Sequence, residues 1–370
     1  MAAAALDQVR ILDFSRVLAG PLATMVLADL GAEVTKVERP GAGDETREWG
    51  PPFDDAGVAT YFLSVNRNKD GVVLDLATAG GRARAHELAL GADVVVENFR
   101  PGVMERLGLG YEQLAAERPQ LVYCSITGFG RGAGAELPGY DLLVQAVGGL
   151  MSITGEPNGA PQKVGVALVD VVTGLFASVG ILAALRHRDR TGEGQRVDVD
   201  LLSCLLAALV NQGSAYTAAG VVPRRMGNAH PSIAPYDLYR TGEGELVLAV
   251  GNDRQFASLC EQLGCAELAR DERFAGNEAR VAHRDALRAA LEQRLAAAPA
   301  AAWAERLLAA GVPAGEVNDV AGAYALAERL GLAPVAELAR EDAPPVRVPA
   351  NPIRLSRTPP AYRTAPPPLS

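Results

Sequence analysis

The opening stretch of the chain, up to Glu38, restricts the fold most. Val9 to Phe14 is a short apolar run of strand character, and Gly20-Pro21 opens a helix with proline in its first turn. Gly31 closes that helix, and Glu33 to Glu38 returns as a second strand. Strand, helix, strand in this order is a βαβ unit, whose strands run parallel. The junction from Ser15 to Gly20 then lies beyond a strand's carboxyl end, where open α/β sheets bind ligands. No GxGxxG motif stands there, so a dinucleotide is not the expected ligand.

Two further strands are expected on either side of a turn at Lys69-Asp70-Gly71, the second at Val72 to Leu76, followed by a helix from about Gly80 to Leu90. Val94 to Glu97 is mostly apolar, as a strand buried on both faces would be. Asn98-Phe99-Arg100-Pro101-Gly102 turns into another helix, Leu121 to Ile126 forms a strand, and Thr127 to Gly139 is a glycine-rich loop that delivers Asp141. After the long apolar stretch Val164 to Leu185 come a strand at Gln195 to Asp200 and a helix at Leu201 to Val210. From about Arg224 the character changes. Tyr236 to Tyr239 and Glu245 to Gly251 read as a hairpin around Thr241 to Gly244, with helices at Gln255 to Leu263, Arg284 to Leu295 and Ala301 to Ala310. The expected organisation is a large Rossmann-like α/β domain with a parallel sheet over 1–223, a small α+β domain over 224–330 and a C-terminal segment over 331–370. Past residue 343 the chain is rich in proline and polar residues and reads as an extended surface tail.

A length of 370 residues suits one large and one small domain, and a formal charge of −9 with scattered Lys and Arg argues against a nucleic-acid surface. An anionic ligand in a local basic pocket remains compatible with that balance. The four cysteines, Cys124, Cys204, Cys260 and Cys265, form no CxxC pair and have no His at ligand spacing, so neither a disulfide scaffold nor a metal site is expected. The start MAAAALDQVR has no basic region followed by an apolar core, and a cytoplasmic setting is expected. Val164 to Leu185 is long enough to cross a membrane, but Asp170 lies inside it and no aromatic belt flanks it. It reads as a core helix, with no membrane partner.

Asp141 sits in GYDLLVQAVGGL, framed by small residues. Glycines allow close approach of a bulky ligand, and a partly desolvated carboxylate can serve as a covalent nucleophile. On local pattern alone, an Asp before the apolar run Leu142 to Val147 is more readily a helix cap than a nucleophile.

Six segments occur in order: Ile11 to Pro21 (ILDFSRVLAGP), Gly31 to Gly41 (GAEVTKVERPG), Asn66 to Lys69 (NRNK), Val94 to Gly102 (VVVENFRPG), Ser125 to Gly130 (SITGFG) and the Asp141 segment. Together they resemble the class III CoA-transferase family, which also contains α-methylacyl-CoA racemases. The resemblance implies acyl-CoA and a carboxylic acid as substrates, no prosthetic group, a chain that returns from the small domain to the large one, and an interlocked homodimer. It implies CoA contacts at Val17, Leu18, Arg39, Leu74, Asn98, Phe99 and Arg106, with Arg16 a further candidate cation. Ala77 stands where formyl-CoA transferases carry a CoA-contacting Lys. The implied chemistry runs through a mixed anhydride and an aspartyl-CoA thioester on Asp141, with backbone amides near Gly148-Gly149 as oxyanion donors.

Racemases of the family place a His directly before this Asp and use a second Asp further on as its partner base. Here Tyr140 replaces the His and Asp170 matches the second position, where a buried structural carboxylate is the plainer role. A phenol, with an ordinary pKa of about 10, exchanges protons poorly beside imidazole at about 6.5, which favours transfer over racemisation. The segment Gly227 to Tyr236, with His230, and Val250 to Phe256 resemble transferases acting on dicarboxylates. His230 and Arg225 are candidates to face an acceptor carboxylate, with loop packing as the alternative.

Overall fold

The computed structural model describes residues 4–341 and 343–369. The polypeptide forms two compact units: one holds the chain through Leu150 together with Lys163–Val222 and the segment from Gly331 onward, the other Met151–Gln162 and Pro223–Leu330. Residues 151–162, counted with the large domain on sequence, thus belong to the second unit.

The first unit is built from β1 (Arg10–Asp13), α1 (Ala19–Asp29), β2 (Glu33–Glu38), α2 (Thr60–Val65), β3 (Lys69–Val73), α3 (Ala79–Gly91), β4 (Val94–Glu97), α4 (Val103–Arg106), α5 (Tyr111–Glu117), β5 (Val122–Thr127) and α6 (Asp141–Val147). It continues with α8 (Leu168–Thr191), β6 (Arg196–Asp200), α9 (Leu201–Ala208) and α10 (Val210–Ala219), while the short α7 (Leu150–Ile153) leads into the second unit. The six strands pair in the order β3-β2-β1-β4-β5-β6, all parallel. This is the doubly wound order, and its reversal between β1 and β4 opens a crevice at their carboxyl ends. β4 and β5 are buried along their whole length, as strands covered on both faces must be.

β3 corrects the sequence reading. A single strand runs straight through Lys69-Asp70-Gly71, where a turn was expected, and the segment before it is the helix α2. Two things hold that stretch extended: Lys69 and Gly71 pair with Val34 and Lys36 of β2, and the Lys69 ammonium is buried against Asp13. Apolar periodicity carries no sign of a strand pinned by a buried charge.

α8 satisfies the length and composition of a membrane span. One of its faces nevertheless packs into the unit: Thr173, Gly174, Ala177, Ser178, Ile181, Ala184 and Leu185 are buried. Gly174 permits the crossing of α1, since a Cβ there would lie 2.6 Å from the Ala19 carbonyl oxygen.

The C-terminal segment runs extended along the first unit and is anchored to it. β10 (Val335–Leu338) and β11 (Val346–Pro349) pair antiparallel, and the chain beyond β11 is tied down by the buried Asn66-Arg67-Asn68 stretch. Arg67 grips Asp29 through two donors at 2.9 and 2.6 Å and donates to the Pro349 carbonyl at 2.8 Å. Asn68 donates to Asp29 and the Ala361 carbonyl and accepts from the Arg363 and Thr364 amides. Asn351 completes the shell of Asp29 at 3.1 Å. NRNK is therefore a structural clamp.

The second unit pairs β7 (Tyr236–Arg240), β8 (Glu245–Ala249) and β9 (Ala314–Glu316) antiparallel. Around them lie α11 (Asp253–Gln262), α12 (Asn277–Ala282), α13 (Arg284–Leu295), α14 (Ala300–Ala309) and α15 (Val320–Arg329). Its core includes Leu246, Leu248, Phe256, Leu259, Leu291, Trp303 and Leu307.

Arg67→Ala leaves Asp29 buried without its cation. A loss of about 3–5 kcal/mol in denaturant unfolding is expected, with early proteolysis of the C-terminal segment. A loss below about 1 kcal/mol would contradict the clamp.

Candidate active site

The crevice at the carboxyl ends of β1 and β4 is shaped by buried charge. At the end of β1, Asp13 accepts from the Ser15 amide (2.9 Å), the Ser15 hydroxyl and the Thr24 hydroxyl (2.6 Å). Lys69 reaches Asp13 at 3.1 Å and also donates to the Pro21 carbonyl and Asn66, both at 3.0 Å. Burial works to raise the Asp13 pKa, but Lys69, Lys36 and the Ser15 and Thr24 hydrogen bonds together outweigh it and hold the carboxyl below its usual range. Burial pulls Lys69 the other way, down to about 8. Beside them Lys36, at the centre of β2, donates to the Ser15 carbonyl at 3.0 Å and to Asp44 at 2.9 Å.

This network fixes the turn between β1 and α1. Val17 there has φ of +70°, a left-handed conformation that a β-branched side chain resists. Its amide points at Asp44 Oδ1, 3.4 Å away. Asn98, just after β4, clips the same turn from the other side, accepting from the Arg16 amide at 2.9 Å and donating to the Arg16 carbonyl at 2.7 Å. Two strand ends are thereby joined across the topological switch point.

Two cavities adjoin at this turn. One, about 220 Å³, is lined by Val17, Leu18, Asn98, Phe99, the glycine-rich loop from Thr127 to Tyr140, and Asp170. The other, about 340 Å³, is lined by Arg39, Leu74, Ala77 and Leu107 among others. Arg16 and Phe99 line both. Of the residues expected to contact CoA, Val17, Leu18, Arg39, Leu74, Asn98 and Phe99 are therefore brought together, whereas Arg106 is exposed on α4 and lines neither cavity. Arg39 is exposed and spends one donor on the Gly43 carbonyl, at 3.1 Å. Gly128 and Gly139 face each other so closely that a Cβ on Gly139 would lie 2.5 Å from the Gly128 Cα. That contact closes the base of the loop and explains the small residue before Tyr140.

Asp141 does not line the cavity. It is the first residue of α6, whose cap is Tyr140, and its carboxylate caps a different helix. Oδ1 accepts from the Val169 amide at 2.8 Å and the Asp170 amide at 3.2 Å, both at the start of α8, where Ala167 has no capping side chain. Oδ2 accepts from Gln145, one turn along α6, at 2.6 Å. Gln145 is buried and takes the Val164 amide at 2.9 Å on its other end. The Gly148 amide, a candidate oxyanion donor on sequence, is already committed to the Val144 carbonyl at 2.8 Å.

Asp170 is the carboxylate that faces the cavity. No donor among the described residues reaches it, and burial together with the neighbouring Asp141 charge pushes its pKa up to about 7. Tyr61 lies in the same field, pushed up to about 12 by burial first and then by Asp170, Asp141 and Asp44. Its ring meets Trp49, a half-exposed wall of the cavity, edge to face at 5.2 Å. Trp49, Tyr61 and Glu45 escaped the sequence reading. An isolated aromatic or acid carries no periodic signal that it faces a cleft.

In the second unit, His230 serves its own loop: its Nδ1 accepts from the Ser232 amide at 3.1 Å and its ring packs on Tyr236. Arg225 donates to the Glu156 and Gly159 carbonyls at 3.3 and 3.0 Å and lines a separate cavity of about 780 Å³.

The family model for CoA-transferase family III matches residues 6–370. The chain belongs to that family. It is 44% identical to the succinate–glutarate CoA-transferase of Agrobacterium fabrum over 98% of its length and 92% of that protein's. It is 43% identical to the acetyl-CoA:oxalate CoA-transferase of Acetobacter aceti, across 95% of this chain and 89% of that one. A crystal structure of a CaiB/BaiF family protein from Brucella suis superposes with a TM-score of 0.88 at 44% identity, covering 99% of this chain and 97% of its own. This CoA-transferase thus carries an α/β fold already seen in its family.

Gly139→Ala forces its Cβ into the Gly128 backbone. A fall in kcat/KM on the order of a hundredfold is expected from the displaced loop, with the melting temperature changed by only a few degrees. Unaltered turnover would show that the loop takes no part in the site.

Proposed function

We propose that this CoA-transferase moves CoA between an acyl-CoA and a carboxylic acid, with a dicarboxylate on at least one side, and that Asp170 is the group acylated in transit. The observation that carries the reading is the division of labour between two adjacent carboxylates. Asp141, the residue singled out on sequence, has its lone pairs taken by Val169, Asp170 and Gln145. Asp170 lines the cavity with its carboxylate unsatisfied. A nucleophile needs a free lone pair and a substrate-facing position, and Asp170 has both. Asp141 is assigned instead as the residue that orients Asp170 by anchoring the first turn of α8.

In this scheme the Asp170 carboxylate attacks the thioester carbon, and CoA leaves as the thiolate, forming a mixed anhydride. The thiolate attacks the aspartyl carbonyl, releasing the donor acid and leaving an aspartyl-CoA thioester. An acceptor carboxylate attacks that thioester, expelling the thiolate again, which then takes the acyl group from the second anhydride and regenerates Asp170. No proton is consumed at any step, and thioester energy is retained. CoA is assigned to the two cavities, with its adenosine near Arg39 and Leu74 and its pantetheine along Asn98, Phe99 and the glycine-rich loop. The dicarboxylate preference rests on the relatives named for succinate, glutarate and oxalate transfer. Exposed apolar residues support a homodimer: Leu175, Phe176, Val179 and Leu182 form a helical stripe on α8, opposite its buried face.

Kinetics of two variants test the assignment. Asp170→Asn should abolish transfer and leave CoA binding in place, while Asp141→Asn should retain measurable turnover. The active form of Asp170 is the anion, so kcat/KM should fall as pH drops below about 7. Removing the like charge in Asp141→Asn should move that acid limb downward, though not to an ordinary carboxylate value, because burial remains. Loss of all activity in Asp141→Asn, with Asp170→Asn still active, would return the covalent role to Asp141. Arg39→Ala should weaken CoA affinity with little effect on kcat, and unaltered affinity would remove that arginine from the site.

A further inference from the structure

Arg16 stands where the two cavities adjoin, and among the described residues its one ionic partner is Glu45, the first residue of a short 3₁₀ turn, at 2.5 Å. The guanidinium lies over the Phe99 ring, 5.0 Å from its centre. Resting on the CoA-site reading above, we infer that Glu45 is a stand-in anion that holds Arg16 in the ligand-free cleft, and that the diphosphate of a CoA thioester replaces it.

The contrast with the neighbouring pair is the first support. Lys36 and Asp44 have side chains with no exposure and are bonded on every side, as a permanent structural pair must be. The Arg16 and Glu45 side chains are 34% and 32% exposed, so their attraction is screened and easily exchanged. Each member is also under-used. Arg16 Nε and Glu45 Oε2 are buried and have no hydrogen-bond partner among the described residues. A guanidinium with one acceptor for its five donors is poised for a ligand that offers more oxygens in a plane, which a diphosphate does and one carboxylate oxygen does not.

The order of groups along the cleft is the second support. CoA reads adenosine, diphosphate, pantetheine, thioester. With adenosine beside Arg39 and Leu74 and the thioester beside Asp170, the diphosphate falls at the junction, where Arg16 and Phe99 line both cavities. Glu45 stays on the cleft wall after it is displaced. It then opposes the incoming negative charge, so the two members of one ion pair act on affinity with opposite signs.

Isothermal titration with CoA tests this, with thermal unfolding of each variant measured alongside and Glu45→Ala as a second replacement. Glu45→Gln should tighten CoA binding about two- to fivefold, and Arg16→Gln should weaken it by a similar factor. In the Arg16→Gln background, Glu45→Gln should tighten CoA binding less than it does in the presence of Arg16, because only the direct charge repulsion is then relieved. S-acyl-pantetheine, which lacks the diphosphate, should bind wild type and Glu45→Gln alike. Weaker or unchanged CoA binding in a folded Glu45→Gln protein would overturn the inference, and so would tightening that persists with S-acyl-pantetheine. Failure of the wild-type protein to bind CoA would instead overturn the functional reading, which keeps the two failures apart.

Discussion

Two neighbouring carboxylates, one of them largely buried, cannot both be left ionised without compensation. The arrangement around the start of α8 resolves this by giving the available donors to one of them. Asp141 receives two backbone N–H groups and the Gln145 amide, and Asp170 receives none. The uncapped helix start is thereby satisfied by a side chain from α6, and the same contacts hold Asp170 toward the cavity. Position and chemical character of the cleft carboxylate both follow from where the hydrogen bonds go.

The other wall of the cleft depends on buried ion pairs beneath the sheet's carboxyl edge. Asp13 with Lys69 and Asp44 with Lys36 lie fully inside the unit, at a desolvation cost that only dense hydrogen bonding offsets. What they secure is the turn at Ser15 to Leu18, including the left-handed Val17. Strain of this kind, about 1–3 kcal/mol, persists only where surroundings over-determine the conformation. The exchangeable Arg16–Glu45 pair sits directly on that fixed base.

Much of this was legible in the sequence. The βαβ opening gave the parallel sheet, β2 and β4 fall where periodicity put them, and α13 spans the expected residues. Asp141 stood out because small residues frame it, and capping was one of its two readings. Local pattern places such a cap on α6, yet the donors it serves lie 28 and 29 residues further on. Only tertiary structure brings α8 there. The turn expected at Lys69 is absent, and the extended segment past residue 343 is anchored in a way its composition does not show, both for a shared reason. Buried polar residues, Lys69 against Asp13 and Arg67 and Asn68 against Asp29 and the C-terminal backbone, hold segments whose composition reads as loop.

If CoA is carried from donor to acceptor as a thioester on Asp170, the aspartyl carbonyl is activated during turnover and open to an added nucleophile. Incubation with succinyl-CoA, hydroxylamine trapping and peptide mass spectrometry test this directly. A hydroxamate is expected on the peptide carrying Asp170, at that residue, with Asp141 unmodified. A hydroxamate at Asp141 would contradict the assignment.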